Sequence, residues 1–275
     1  MAGQIQWRGP TIITDGLLFY MNSSSPSCYN TSSFFGGGST LRNISGFTSY
    51  SGSMIGNVAS ELDSTYTGGR VFRFPDGTPR PSISLGNPPE LLFGTNSFTI
   101  SVWIKTYNAN SFRIILNKRK DPQSSPLADR PYLWLSAGRI EDSSGNIAGS
   151  QQLTFSIKSN QTNQYTFYTT DNVMDGNWKH VTVVRDSLAA VPFIKMYVNN
   201  IEQAQTSPVG GIVGTGVLTS LVDTSDWTIG NLSPSLSISN FAWERPMSSV
   251  QIYNRALSTD ELTFNYNNSK ALYGL

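Results

Sequence analysis

One histidine, His180, lies inside DGNWKHVTVVRD (175–186), with an aspartate at either end of the stretch. An imidazole between carboxylates is raw material for a general base, provided its partners lie within hydrogen-bond reach. As a strand of about ten residues at about 3.3 Å each, the stretch puts Asp175 and Asp186 too far apart to serve one ring together. A turn dipeptide, Asp175-Gly176, followed by a run rich in Thr and Val favours that strand. Trp178, His180, Thr182 and Val184 then share one face, and Val181 and Val183 the other. His180 is assigned to architecture.

Two carboxylates at alternate positions, Glu61 and Asp63, have the spacing that brings acid groups about 5 Å apart, as retaining glycoside hydrolysis needs. Their surroundings read as loop, however, and position 66, where a third acid would complete an E-x-D-x-x-E run, is Tyr66. The lone Cys28 has no histidine near it in sequence, so it is not read as a reactive thiol, and it excludes an intrachain disulfide. There is no G-x-S-x-G, no H-E-x-x-H, no Walker loop, and no second histidine for a metal triad. No catalytic residue is assigned, and no enzyme is expected.

Composition narrows the partners. Nineteen basic residues nearly cancel eighteen acidic ones for a net charge of +1, and charged residues are only 13% of the chain. No long-range field draws it to nucleic acid or to an acidic membrane. Lys118-Arg119-Lys120 runs straight into Asp121-Pro122 and reads as a solvated turn. The opening MAGQIQWRGPTIITDG has neither a charged nor an apolar leader region, so no signal peptide is expected. No apolar run approaches the roughly 20 residues that span a bilayer, so no membrane insertion is expected. Sequons at Asn22, Asn30, Asn43, Asn160 and Asn231 mark only polar, exposed stretches.

The elements that must position any site alternate with period two. In SFTISVWIK (97–105), Phe98, Ile100, Val102 and Ile104 point one way, and Ser97, Thr99, Ser101, Trp103 and Lys105 the other. The same pattern recurs at 16–22, 70–74, 113–118, 132–136, 152–159, 164–170, 193–200, 227–230 and 249–254, separated by GNPPE, KDPQSSP, SSGN, DGN, VNN and SPVGG. Many short strands with such punctuation predict an all-β, antiparallel, two-layer fold. One helix is expected, from Ser258 as N-cap with Glu261 reaching back, to about Asn267. Residues 1–275 read as a single domain with its core over about 14–266, and residues 22–60 as loop-rich with little core.

Four stretches resemble a known family. DGNWKHVTVVRD followed by IKMYVNN is similar to the "W-H-H-V-A-V … K-L-Y-V-N-G" hairpin of laminin-G-like, concanavalin A-like domains. LGNPPELLFGTNSFTISVWIK (85–105) resembles the segment that leads into "F-T-I-S-A-W-V-K", and SSVQIYNRALSTDEL (248–262) the closing "V-R-I-Y-N-R-A-L-S-x-E-E-I". TDGLLFYMNSSSPSCYN is similar to "T-D-G-L-V-L-Y-L-D-A-x-N-P-x-S-Y", the opening of such domains in bacteriophage virion proteins. The order is kept from about Thr14 to Tyr266. The chain departs from the pattern at Lys179, at Asn200 where a glycine is usual, at Asn22 where an acid is usual, and at AWERPM (242–247).

The resemblance implies a two-sheet jelly-roll sandwich with first and last strands side by side. It also implies a virion structural role as decoration, fibre or tail component, acting through contacts with other virion proteins, including copies of itself. Host-surface glycan adhesion is a second role, a carbohydrate-binding lectin module is the alternative, and a glycoside hydrolase is a distant third. No cofactor is expected; calcium, which some members hold, is left unassigned because Asp76, Asp121 and Asp223 are isolated acids. An aromatic platform of the lectin kind draws on Trp243, Tyr107, Tyr132, Trp134 and Tyr66. Trp243 stands out because AWERP interrupts the last strand region.

Overall fold

A computed structural model describes residues 10–29, 40–46, 50–75, 81–107, 113–118, 131–141, 147–159, 164–188, 194–204, 224–231 and 242–275. The strands are β1 (Leu17–Asn22), β2 (Thr40–Arg42), β3 (Ser51–Ile55), β4 (Ala59–Leu62), β5 (Arg70–Arg73), β6 (Ser82–Gly86), β7 (Phe98–Tyr107) and β8 (Arg113–Lys118). They continue as β9 (Tyr132–Glu141), β10 (Ile147–Lys158), β11 (Gln164–Asn172), β12 (Asp175–Arg185), β13 (Ile194–Val198), β14 (Ile201–Glu202), β15 (Trp227–Ile229) and β16 (Met247–Tyr253). Helix α1 (Thr259–Ser269) and a 3-10 turn, Lys270–Tyr273, end the chain.

These strands form two antiparallel sheets packed as a sandwich. The first runs β14-β13-β12-β7-β16-β5-β4, with β1 also paired to β16; the second runs β11-β10-β9-β8-β15-β6-β3-β2. The expected neighbourhood of first and last strands is present, with Tyr20 opposite Gln251 and Asn22 opposite Ser249. Between the sheets lies the apolar stripe of each strand: Phe98, Ile100, Val102 and Ile104 of β7, Val181 and Val183 of β12, Leu133 and Leu135 of β9, and Leu153, Phe155 and Ile157 of β10.

The first sheet is covered on its other side as well. Its outward residues Trp103, Trp178, Tyr253 and Val184 are buried against α1 and the 3-10 turn. The helix is started by the expected capping box: the Glu261 amide donates to Ser258 Oγ, and the Ser258 amide to Glu261 Oε2. Arg255 grips the same carboxylate at 2.6 Å. Polar anchors then seat the helix, with Trp103 Nε1 donating to Ser269 Oγ at 3.2 Å and Asn265 Nδ2 to the Tyr253 hydroxyl at 3.1 Å.

Several expectations are corrected. Residues 22–60 supply β2, β3 and the start of β4, and they send Cys28, Tyr29, Leu41 and Met54 into the core. Asp175-Gly176 is not a free turn; both residues open β12, where Gly176 at φ +86 absorbs a bulge against β7. The expected helix is kept, with α1 running to Ser269, two residues from the expected end at about Asn267. Asn200, at the usual glycine position, shares the β13–β14 turn with Asn199 at φ 65 and 49, a conformation asparagine tolerates.

Candidate functional site

The residues with chemical potential sort by where these sheets place them. His180 is 4% exposed on the outer face of the first sheet, under α1. Its Nε2 lies 2.7 Å from Ser101 Oγ, the distance of a nucleophile and its base. The ring, however, is wedged between Trp103 at 4.8 Å and Tyr266 at 5.7 Å, and among the described residues no carboxylate orients it. Burial pushes its pKa down to about 3, so the imidazole stays neutral. No substrate reaches Ser101 while α1 is seated.

The alternate carboxylates are tied into ion pairs. Contrary to the loop expected there, Glu61 sits on β4, and its carboxylate lies 2.6 Å from Arg73 Nε. Asp63 accepts from the Thr65 amide at 2.9 Å and lies 3.9 Å from Lys105 Nζ. Burial alone would raise the Asp63 pKa, but the Thr65 donors, Lys105 and Arg73 together hold it below the ordinary carboxylate value. A glycosidase acid needs the opposite shift. Among the described residues no three His, Cys, Asp or Glu side chains gather as a metal site; Asp76, Asp121 and Asp223 lie outside the described residues. The described Cys28 thiol is buried, which pushes its pKa up to about 12.

The five platform aromatics separate sharply. Tyr66 is 2% exposed, stacked on Tyr273 at 4.7 Å, and Trp243 is 0% exposed in the inter-sheet core. Neither offers a face to a ligand, because α1 with its 3-10 turn closes over the first and both sheets close over the second. Tyr132 and Trp134 stack on each other at 4.9 Å on the outer face of the second sheet. There Trp134 is flanked in register by Asn117 and Ser156, with Lys158 over the Tyr132 ring at 5.9 Å. Tyr132 itself is largely buried and Trp134 half-buried. Tyr107, at the end of β7, is the exposed one at 52%.

Tyr107 has a partner that the sequence did not reveal. The Arg245 guanidinium lies over its ring, 4.3 Å from the centroid. The segment carrying Arg245 is pinned from both sides. Trp243 is locked in the core and its amide donates to the Gly230 carbonyl at 2.7 Å. Arg113 Nη1 donates to the Ala242 carbonyl at 3.0 Å and to Glu244 at 2.8 Å. The Lys105 amide donates to the Pro246 carbonyl at 3.1 Å. Thus Trp243 acts as the anchor of a rim rather than as a platform. Opposite Tyr107 on β12 sits Asp175, paired to Lys179 at 2.7 Å. The arrangement is an exposed aromatic ring with a fixed cation on it, suited to binding rather than to bond-breaking.

Known proteins place this geometry in context. Residues 76–263 match a laminin-G-type family profile described as "Concanavalin A-like lectin/glucanases superfamily". No curated protein matches the sequence. Among solved structures, the binding domain of Paraclostridial Mosquitocidal Protein 1 is similar with a TM-score of 0.58, at 14% identity over 92% of this chain and 53% of that one. The binding domain of Botulinum Neurotoxin DC in complex with SialylT gives 0.59, at 14% identity over 94% and 52%. The same domain in complex with rat synaptotagmin II gives 0.58, at 15% over 94% and 52%. The chain spans about half the length of each, and at such identities the likeness is one of fold. The family match covers most of the sequence, and the chain belongs to the concanavalin A-like lectin/glucanase superfamily, within its laminin-G type.

Proposed function

We propose that this chain is a non-enzymatic carbohydrate-binding module that docks a surface glycan at the rim formed by Tyr107 and Arg245. One observation carries the reading: of the five candidate aromatics, Tyr107 alone is more than half exposed, and the Arg245 that lies over it sits on a segment that the buried Trp243 holds rigid. A flat ring with polar groups at its edge is the usual way a protein presents an apolar surface to a sugar while keeping hydrogen-bond partners close. The groups that would make a hydrolase or a serine nucleophile are ion-paired or sealed under α1. Similar folds are described in a complex with SialylT and in a toxin whose cell entry depends on two ganglioside molecules, which supports a sugar ligand.

The setting is a bacteriophage particle, where the domain works beside other virion proteins and copies of itself. This part of the proposal rests on the TDGLLFYMNSSSPSCYN opening. A glycan array with the purified chain tests the function: micromolar binding to defined sugars is expected. No binding, or new reducing ends after incubation with β-glucans or host polysaccharide, contradicts it. Mass spectrometry of intact particles tests the setting, where stoichiometric copies are expected and absence of the chain refutes it.

A further inference from the structure

The charge balance around Tyr107 is uneven in one respect. Arg113 is matched by Glu244 at 2.8 Å, Lys179 by Asp175 at 2.7 Å, and Lys105 lies 3.9 Å from Asp63. Arg255 is likewise held by Glu261 and Asp15, and Arg73 by Glu61. Arg245 is different: among the described residues no carboxylate contacts it. The acceptor it does meet is the carbonyl of its own neighbour Glu244, 3.0 Å from Nη1. A guanidinium has five N–H donors in a planar fork that matches a carboxylate, and Arg245 Nε is buried with no hydrogen-bond partner. The Tyr107 hydroxyl, too, is not engaged by any described residue, and the residue is 52% exposed.

We propose that Arg245 and Tyr107 form a subsite for a carboxylate-bearing sugar, the ring packing against the sugar's C–H face and the guanidinium taking the carboxylate. The inference rests on the glycan-binding reading above and narrows it to acidic glycans. A single carboxylate suits the site better than a polyanion, because among the described residues the neighbouring cations are already occupied by Asp175, Glu244 and Asp63, leaving one surplus positive charge. An acidic peptide or a nucleic acid draws on several free cations at once. The tether also fits: with Trp243 in the core and Pro246 bonded to β7, the guanidinium is presented in one place, which lowers the ordering cost of binding.

Hexuronate and sialic acid share this chemistry, and the test separates them. Binding of the full chain is measured by calorimetry for a glucuronate-containing oligosaccharide, a sialylated lactose, plain lactose, a neutral glucose oligosaccharide and an acetylated tetraglutamate peptide. The same probes are applied to Arg245→Gln, Arg245→Lys and Tyr107→Ala, each first shown to melt as the parent does. At least one acidic sugar is expected to bind about tenfold or more tighter than its neutral counterpart, a preference that Arg245→Gln abolishes, because a charge-assisted pair is lost. Arg245→Lys keeps the charge but loses the planar fork and is expected to recover only part of the preference. Tyr107→Ala is expected to weaken acidic and neutral sugars alike. Equal binding of acidic and neutral sugars, unchanged in Arg245→Gln, overturns the subsite while leaving sugar binding intact. Tetraglutamate binding that matches the acidic sugars and depends on Arg245 also overturns it, in favour of a peptide site. No binding of any sugar removes both the subsite and the glycan-binding reading.

Discussion

Replacing His180 with Gln gives a pH-dependent stability difference whose size follows from the burial of one ring. The imidazole is 4% exposed, and burial takes its pKa from the ordinary 6.5 to about 3. In the unfolded chain the ring protonates below pH 6.5, whereas in the folded chain it resists until about pH 3. The native state is therefore penalised progressively as pH falls through that window, and the contribution is intact above 6.5. Each pH unit below 6.5 costs about 1.4 kcal/mol, so the penalty is about 2 kcal/mol at pH 5. Gln can still reach Ser101 Oγ, which lies 2.7 Å from the ring Nε2, but it loses the packing on Trp103 and Tyr266.

At pH 7.5 the variant is expected to be about 1–3 kcal/mol less stable than the parent, in the ordinary range for a buried substitution. At pH 5 that deficit is expected to shrink by about 2 kcal/mol, since the parent alone carries the protonation penalty. Urea unfolding of both proteins at pH 7.5, 6 and 5 reads the difference, and carboxylate titrations common to both cancel. His180 is the only histidine in the sequence, so no other imidazole contributes. A deficit that stays the same across the series refutes the sealed, neutral ring.

Three further outcomes follow from named contacts. Trp243→Ala is expected to lose about 3–5 kcal/mol of stability by urea unfolding, because a Trp at 0% exposure leaves a large cavity. Gly230→Ala is expected to lower the melting temperature by several degrees, about 1 kcal/mol or more, since φ is +87 and an added Cβ would sit 2.6 Å from Phe74. Cys28, whose pKa burial raises to about 12, is expected to stay silent to a thiol reagent at pH 8 in the folded protein and to react after denaturation; prompt native labelling contradicts the packing.

Much of the fold was legible because the strands repeat one rule. The alternation in 97–105 names both faces of β7, and the inward set Phe98, Ile100, Val102 and Ile104 is the one the core contains. The capping box at Ser258 and Glu261 was equally readable, being local chemistry. Strands β2 and β3 carry little pattern because each sends a single large apolar residue inward, Leu41 between Thr40 and Arg42, and Met54 among Ser and Gly. Gly52 looks like loop composition, yet it lies on β3 where an added Cβ would meet Ile83 at 2.8 Å.

The site was less legible for a different reason. Period-two patterning distinguishes two faces but does not say that a helix will later cover one of them, which is what hides Tyr66, Trp103 and His180. Trp243 carries no pattern at all, lying just outside β16. The Tyr107–Arg245 contact joins distant parts of the sequence, and only the pairing of β7 with β16, Met247 opposite Ile104, brings them together.

Docking of a sugar on the rim held by Trp243 is the proposed event on which the function rests. Chemical-shift mapping of the isotope-labelled chain, titrated with the tightest-binding sugar from the array, tests it most directly. The largest amide shifts are expected at Tyr107, Glu244 and Arg245, with little change at Ser101 and His180 beneath α1. Largest shifts around Trp134 and Ser156 on the second sheet, or at Ser101 and His180, would contradict it.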